Sequence, residues 1–250
     1  MGIVVVDPPR AARRLRILCL HGYEQDSAIF QTRLRRHMEA LKDTADFVFV
    51  DAPNTLRPYD VDGMDNVARA ADARAGRSLG RTLRGWYWPR SLDPEDVCGL
   101  EASIAHLESV LEQQGPFDGV FGFSQGKYPP PAVCPTRRIC GLMAAVLCAR
   151  LERQRQTPGG SATHPPFRFA VIASGYKLKD AKWAHVYETP IGTQSLHLYG
   201  VLDSMIHISQ SMDLQGAFAR PVGLSFLGDH FVPKSHEAVR AVQQFVEQFA

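Results

Sequence analysis

The pentapeptide GFSQG, Gly122 to Gly126, places a serine between two glycines at the spacing Gly-x-Ser-x-Gly. That spacing suits a strained strand-to-helix turn which exposes the serine hydroxyl, with small neighbours letting strand and helix pass closely. A serine hydroxyl is a weak nucleophile until a histidine takes its proton, and the histidine needs a carboxylate to hold its tautomer and stabilise its charged form. In the chain order serine, acid, histidine, two positions meet those needs. Asp203 follows the apolar run SLHLYG in GVLDS, and His230 follows GLSFLG in GDHFVP. Ser124, Asp203 and His230 are therefore the candidate catalytic residues.

Each has a plainer reading. Asp203 also suits the cap of a helix beginning near Ser204, a role that aspartate favours, and His230 also suits a turn. His207 and His236 fall at or inside helix starts and read as surface or capping residues, while His197 alternates within a strand and reads as structural. Acyl transfer further requires backbone donors aimed at the oxyanion of its tetrahedral intermediate. The amide of Gln125, directly after the serine, and the amide of Tyr23, in the loop HGYEQ, are the candidates. His21 reads as ordering that loop and not as the base.

Nothing competes for metal or cofactor. The nine histidines form neither HExxH nor a close pair with a third ligand, and no Gly-rich phosphate loop is present. The five cysteines, Cys19, Cys98, Cys134, Cys140 and Cys148, are odd in number and lack a CxxC pair, which argues against a disulfide framework or zinc site and for a reducing, cytoplasmic setting.

The positioning elements alternate. RILCL (Arg16 to Leu20) reads as a buried strand, Ser27 as the cap of a helix with Phe30, Leu34, Met38 and Leu41 on one face, and FVFVDAP as a second strand. The stretch 54–90 loses its period and is a candidate lid; its Trp86, Tyr87 and Trp88 suit either core or the wall of a ligand entrance. A helix is predicted with Asp93 as cap, Pro94 at its first position, apolar face Val97, Leu100, Ile104, Leu107 and Leu111, and Gly115 as stop. Strands follow at PFDGVFGF, FRFAVIAS, SLHLYG and GLSFLG, with a surface loop at Glu152 to Pro166 and a closing helix bearing Val239, Val242, Val246 and Phe249. Such alternation implies a mostly parallel sheet with helices on both faces, and ligands at the strands' carboxyl ends.

At 250 residues the chain suits a single α/β domain, with residues 1–15 a flexible lead-in. Its 28 basic and 26 acidic residues give a net charge of +2, which offers no electrostatic case for nucleic acid. No apolar run approaches the roughly 20 residues that a bilayer span needs. The first residues place apolar before basic, the reverse of a secretory signal, and Val6 stands where a myristoylation motif has Ser or Thr.

Taken together, LCLHGYEQDSAIF, the DAP at Asp51 to Pro53, GPFDGVFGFSQG, ASGY at Ala173 to Tyr176, GVLD and GDHFVP resemble the FSH family of serine hydrolases, a branch of the α/β-hydrolases, from Arg16 to the C-terminus. The resemblance implies Ser124 as nucleophile, Asp203 as the orienting acid, His230 as the base, and hydrolysis of an ester or thioester. It also implies a small-molecule or carrier-bound acyl substrate, since many fungal members release or edit acyl chains on a polyketide synthase. An acyl-enzyme resolved by an alcohol, giving an acyltransferase, stays open.

One stretch departs from the family pattern. KYPPPAVCPTRRIC (Lys127 to Cys140) separates GFSQG from the small-residue helix GLMAAVLCARLE, and its prolines limit any helix after Ser124 to about one turn. It reads either as a loop that the enzyme tolerates or as translated intron sequence. A helix displaced from Gln125 would weaken the oxyanion site, and so the alternative function is a catalytically impaired hydrolase fold that serves as a binding or interaction protein.

Overall fold

The computed structural model describes residues 13–56, 82–89, 97–123, 143–156, 164–178 and 181–250. Among them, six strands form one parallel sheet: β1 (Leu15–Leu20), β2 (Ala45–Val50), β7 (Gly119–Phe123), β8 (Phe169–Ala173), β9 (Gln194–Gly200) and β10 (Pro221–Phe226). Their order is β10-β9-β8-β7-β1-β2. Two antiparallel pairs lie outside the sheet, β3 (Asn54–Thr55) with β4 (Arg84–Gly85), and β5 (Trp88–Pro89) with β6 (Val97–Cys98). The helices are α1 (Ser27–Ala40), α2 (Leu100–Gln114), α3 (Met143–Gln156), α4 (Ile208–Gln215) and α5 (His236–Glu247), with a 3₁₀ turn at Ala181–Tyr187. This is the parallel sheet with helices on both faces that the alternating pattern predicted, and it fits the α/β-hydrolase fold that the family resemblance implied.

The central strands read as continuous apolar runs because both of their faces are covered. From β1, Leu15, Ile17 and Cys19 join Phe30 and Leu34 of α1 and Val242, Phe245 and Val246 of α5 on one face. Leu18 and Leu20 point the other way and join Leu100, Ile104 and Leu107 of α2 and the buried run Met143 to Ala149 of α3. Helix α5 presents Ala238, Val242, Phe245 and Val246 to the core, with Val239 only partly covered.

Three boundaries differ from the sequence reading. Helix α1 is capped by Asp26, whose Oδ1 accepts from the Ile29 amide at 2.7 Å, and Ser27 is its first residue. Helix α2 starts at Leu100 behind Gly99, in a left-handed conformation with φ 80°. Val97 and Cys98 pair instead with Pro89 and Trp88, so a non-local strand pairing overrides the local helix-start signals. The predicted cap at Asp93 and Pro94 lies outside the described residues, as does most of the candidate lid. Residues 152–156, read as loop, complete α3.

The aromatic pair Trp86 and Tyr87 is core, at 1% and 0% exposure; the Trp88 side chain lies outside the described set. Asn54 organises the backbone here. Its Nδ2 faces the carbonyls of Gly85, Trp86 and Gly99 and the hydroxyl of Ser103, at 2.9–3.3 Å. An aspartate would turn an acceptor toward these oxygens, three of them carbonyls that cannot donate. Asn54→Asp is expected to lower stability by about 2–4 kcal/mol, read as an earlier urea midpoint; an unchanged midpoint would show that the cluster is dispensable.

Candidate active site

Strands β9 and β10 deliver the acid and the base side by side. The turn after β9 and the turn after β10 cross so closely that a Cβ on Gly200 would lie 2.3 Å from the Gly228 carbonyl oxygen, so the GVLD segment needs glycine at its start. The Leu202 amide donates to the Gly228 carbonyl at 3.1 Å, and Asp229 Oδ1 accepts from the Ser204 amide at 2.8 Å, locking the two loops together. Across that junction His230 Nδ1 lies 2.8 Å from Asp203 Oδ2. An ionised carboxylate only accepts, so Nδ1 is the donor, and in the neutral ring Nε2 is left with the lone pair.

The Asp203 side chain is 1% exposed and that of His230 14%. Burial pushes the Asp203 carboxyl up. Its hydrogen bond and charge interaction with His230, together with amides of Ile206 and Met205 donating to Oδ1 at 2.8 and 2.9 Å, outweigh that and leave it below the usual carboxylate value. One oxygen thus caps the turn after Asp203 and the other orients the histidine; the helix that the sequence placed near Ser204 begins instead at Ile208, with His207 as its cap.

The strand that leads to the serine ends beside them. Phe123, the last residue of β7, packs its ring 5.4 Å from the His230 ring. One residue earlier, a Cβ on Gly122 would lie 2.8 Å from the Ala144 Cβ, so α3 is seated directly on β7 and the first glycine of GFSQG is sterically required. Ser124, Gln125 and the whole insertion Lys127 to Cys140 lie outside the described residues.

The loop HGYEQ is fixed from several sides. His21 Nδ1 donates to the Gly22 carbonyl at 2.7 Å, its Nε2 accepts from the Ala52 amide at 2.9 Å, and its own carbonyl accepts from Trp86 Nε1 at 2.9 Å. Burial pushes its pKa down, and with both nitrogens engaged it has no lone pair for a substrate. His21 therefore orders the loop, as the sequence implied. Tyr23 is 8% exposed, and its ring lies where a Cβ on Gly85 would meet it at 3.0 Å. Glu24 and Ser174, the latter directly after β8, adopt left-handed φ of 57° and 49°. Strain of this kind gathers where function over-determines the backbone.

The rival histidines are placed elsewhere. His207 caps α4, His236 is the exposed first residue of α5, and His197 is buried against Phe218 with Nε2 3.0 Å from Ser195 Oγ. Sequence reasoning missed Ser174, whose buried hydroxyl finds no partner among the described residues; the motif ASGY carried it without marking it. Among the described residues no three His, Cys, Asp or Glu side chains gather as a metal site, and no helix is long and apolar enough to cross a membrane.

Comparison with known proteins bears on the fold and the family. The chain is 30% identical over 244 residues to the esterase OVCA2 of Danio rerio, covering 94% of this chain and 97% of that protein. It is 29% identical to the Xenopus tropicalis esterase OVCA2 over 99% of both chains. Among solved structures, esterase PE8 superposes with a TM-score of 0.58 at 14% identity, covering 96% of this chain and 94% of that one. Zea mays acyl-protein thioesterase 2 superposes with a TM-score of 0.55 at 18% identity over 96% of both. At such identities these two likenesses speak for the fold alone. Residues 11–242 match the family described as serine hydrolase (FSH1), and the chain belongs to that family of α/β-hydrolase enzymes.

Proposed function

We propose that the chain hydrolyses an acyl ester or thioester through an acyl-Ser124 intermediate, with His230 as general base and Asp203 holding its tautomer. The single observation that carries this reading is the 2.8 Å contact of His230 Nδ1 with Asp203 Oδ2 beside the end of β7, one residue before Ser124. His230 Nε2 takes the serine proton as Oγ attacks the acyl carbon, and the amides of Gln125 and Tyr23 receive the oxyanion. The protonated histidine then gives that proton to the leaving alcohol or thiol. Water, deprotonated by the same nitrogen, releases the acid and restores the serine.

Labelling with a fluorophosphonate tests the reading in three proteins: the full chain, Ser124→Ala, and a version lacking Lys127 to Cys140. The full chain is expected to label, and Ser124→Ala is expected not to. If only the shortened version labels, the insertion has disabled this chain and the binding-protein alternative holds for it. If neither labels, the serine assignment falls.

A polyketide-type acyl chain released from a synthase carrier in a cytoplasmic, secondary-metabolite setting is the finer substrate proposal, and family resemblance alone supports it. Mass spectrometry of an acyl-loaded carrier incubated with the enzyme tests it: free acid supports hydrolysis, an ester formed with added alcohol supports acyl transfer, and an intact acyl-carrier counts against both.

A further inference from the structure

We propose that the groove between α1 and the loop after β10 is a subsite for an anionic part of the substrate, delivered beside the acid and base pair. The charge is a phosphate on the leaving group or a carboxylate on the acyl chain. This rests on the hydrolase reading above and adds a substrate class to it.

The groove encloses about 870 Å³, within the range of small-molecule sites. Arg33, Arg35 and Arg36 of α1 line one side and Lys234 the other, against a single carboxylate, Glu237. A chain whose whole net charge is +2 thus gathers four cations in one concave place. Among the described residues none of the four is in an ion pair with a carboxylate. Like charges held together without counter-charges repel one another, and an anion bound among them relieves that repulsion; low-dielectric walls focus the field that draws it in.

Two residues connect the groove to the chemistry. Arg33 holds its guanidinium 5.8 Å from the centre of the Phe123 ring, which also packs against Phe30 and His230 and whose next residue is Ser124. Phe231, directly after His230, lines the groove and packs on Phe226 at 5.3 Å. Phe231 is thus shared by the groove and the turn that carries His230, so a substrate held at His230 that extends past Phe231 would meet the cations. The arrangement suits an amphipathic substrate with a charged far end and gives a neutral one no added hold.

The test compares three substrates with the intact chain and with R35E/K234E, both positions being exposed side chains. Para-nitrophenyl butyrate is neutral, para-nitrophenyl hydrogen glutarate carries a carboxylate on the acyl side, and butyryl-coenzyme A carries phosphates on the leaving group. The ratio of anionic to neutral kcat/KM is expected to fall about 10- to 100-fold in the variant. It should also fall in the intact chain as salt rises from about 20 to about 300 mM. The substrate whose ratio moves identifies the source of the charge. Should the double variant fail to fold, K234E alone carries the comparison.

If the neutral ester is turned over and neither ratio moves, the groove is solvated surface and this proposal is overturned while the hydrolase reading stands. If no ester is turned over, that reading fails, and calorimetric titration of free coenzyme A and of glutarate decides the groove by itself. Binding that is lost in R35E/K234E supports the subsite; no binding by either anion overturns it.

Discussion

Asp203→Asn is expected to lower kcat on an ester substrate by about 10⁴-fold with little change in KM. The amide oxygen of the new side chain can still accept from the Ile206 and Met205 amides, which now bond Asp203 Oδ1, and so the turn holds. Its NH₂ group then faces His230 Nδ1. A donor at that position forces the imidazole into the tautomer with its proton on Nε2, the nitrogen that must accept from serine. The catalytic groups stay in place with the proton on the wrong atom. His230→Gln should lose at least as much, because no base remains, and fluorophosphonate labelling should slow in parallel. Thermal melts of both variants within a few degrees of the parent would show that chemistry was lost and not the fold. A variant Asp203→Asn that keeps kcat within about tenfold of the parent would leave Asp203 with its turn-capping role alone.

The contrast between Asp203 and Asn54 shows what the sequence made legible. Every strand of the main sheet was readable, the central ones because strands buried on both faces must be apolar throughout, as in ILCL, VFGF and FAVIA. Asp203 and His230 were readable because each follows an apolar-containing strand signal, and the fold brings the carboxyl ends of β9 and β10 together. Asn54 was not, since its amide gathers groups from residues 85, 86, 99 and 103, and no local pattern encodes contacts of that span. The start of α2 failed on the same ground, as its cap signals at Asp93 and Pro94 describe only nearest neighbours. The basic groove escaped because Arg33, Arg35 and Arg36 are spaced as an ordinary solvated helix face, and Lys234 joins them only in three dimensions.

Acidification should cost this protein stability chiefly through the two histidines whose pKa burial lowers most, neither of which has a part in the proposed chemistry. His37 is 0% exposed on α1 beside Phe121, and neither ring nitrogen finds a hydrogen-bond partner among the described residues. Burial, with Lys234 adding a smaller push, lowers its pKa to about 4. His197, 2% exposed, is lowered by burial to about 3. An unfolded histidine titrates near about 6.5. As pH falls below that value the unfolded chain takes up protons that the folded chain refuses, so stability is full above about 6.5 and declines steadily toward 4. Each histidine contributes about 1.4 kcal/mol per pH unit. Between pH 6.5 and 5 the pair therefore removes about 4 kcal/mol, a large share of the roughly 5–15 kcal/mol that holds most domains folded. Urea unfolding at pH 7.5 and at pH 5 measures this directly; equal midpoints would sink the account. His37→Phe should remove the His37 share of the acid loss and match or exceed the parent at neutral pH, because it removes two unsatisfied nitrogens from the core. Turnover also drops on acidification wherever the base must be neutral, and the same variant separates the two effects. It should shift the acid unfolding transition to lower pH while the acid limb of kcat/KM on a neutral ester stays where it was.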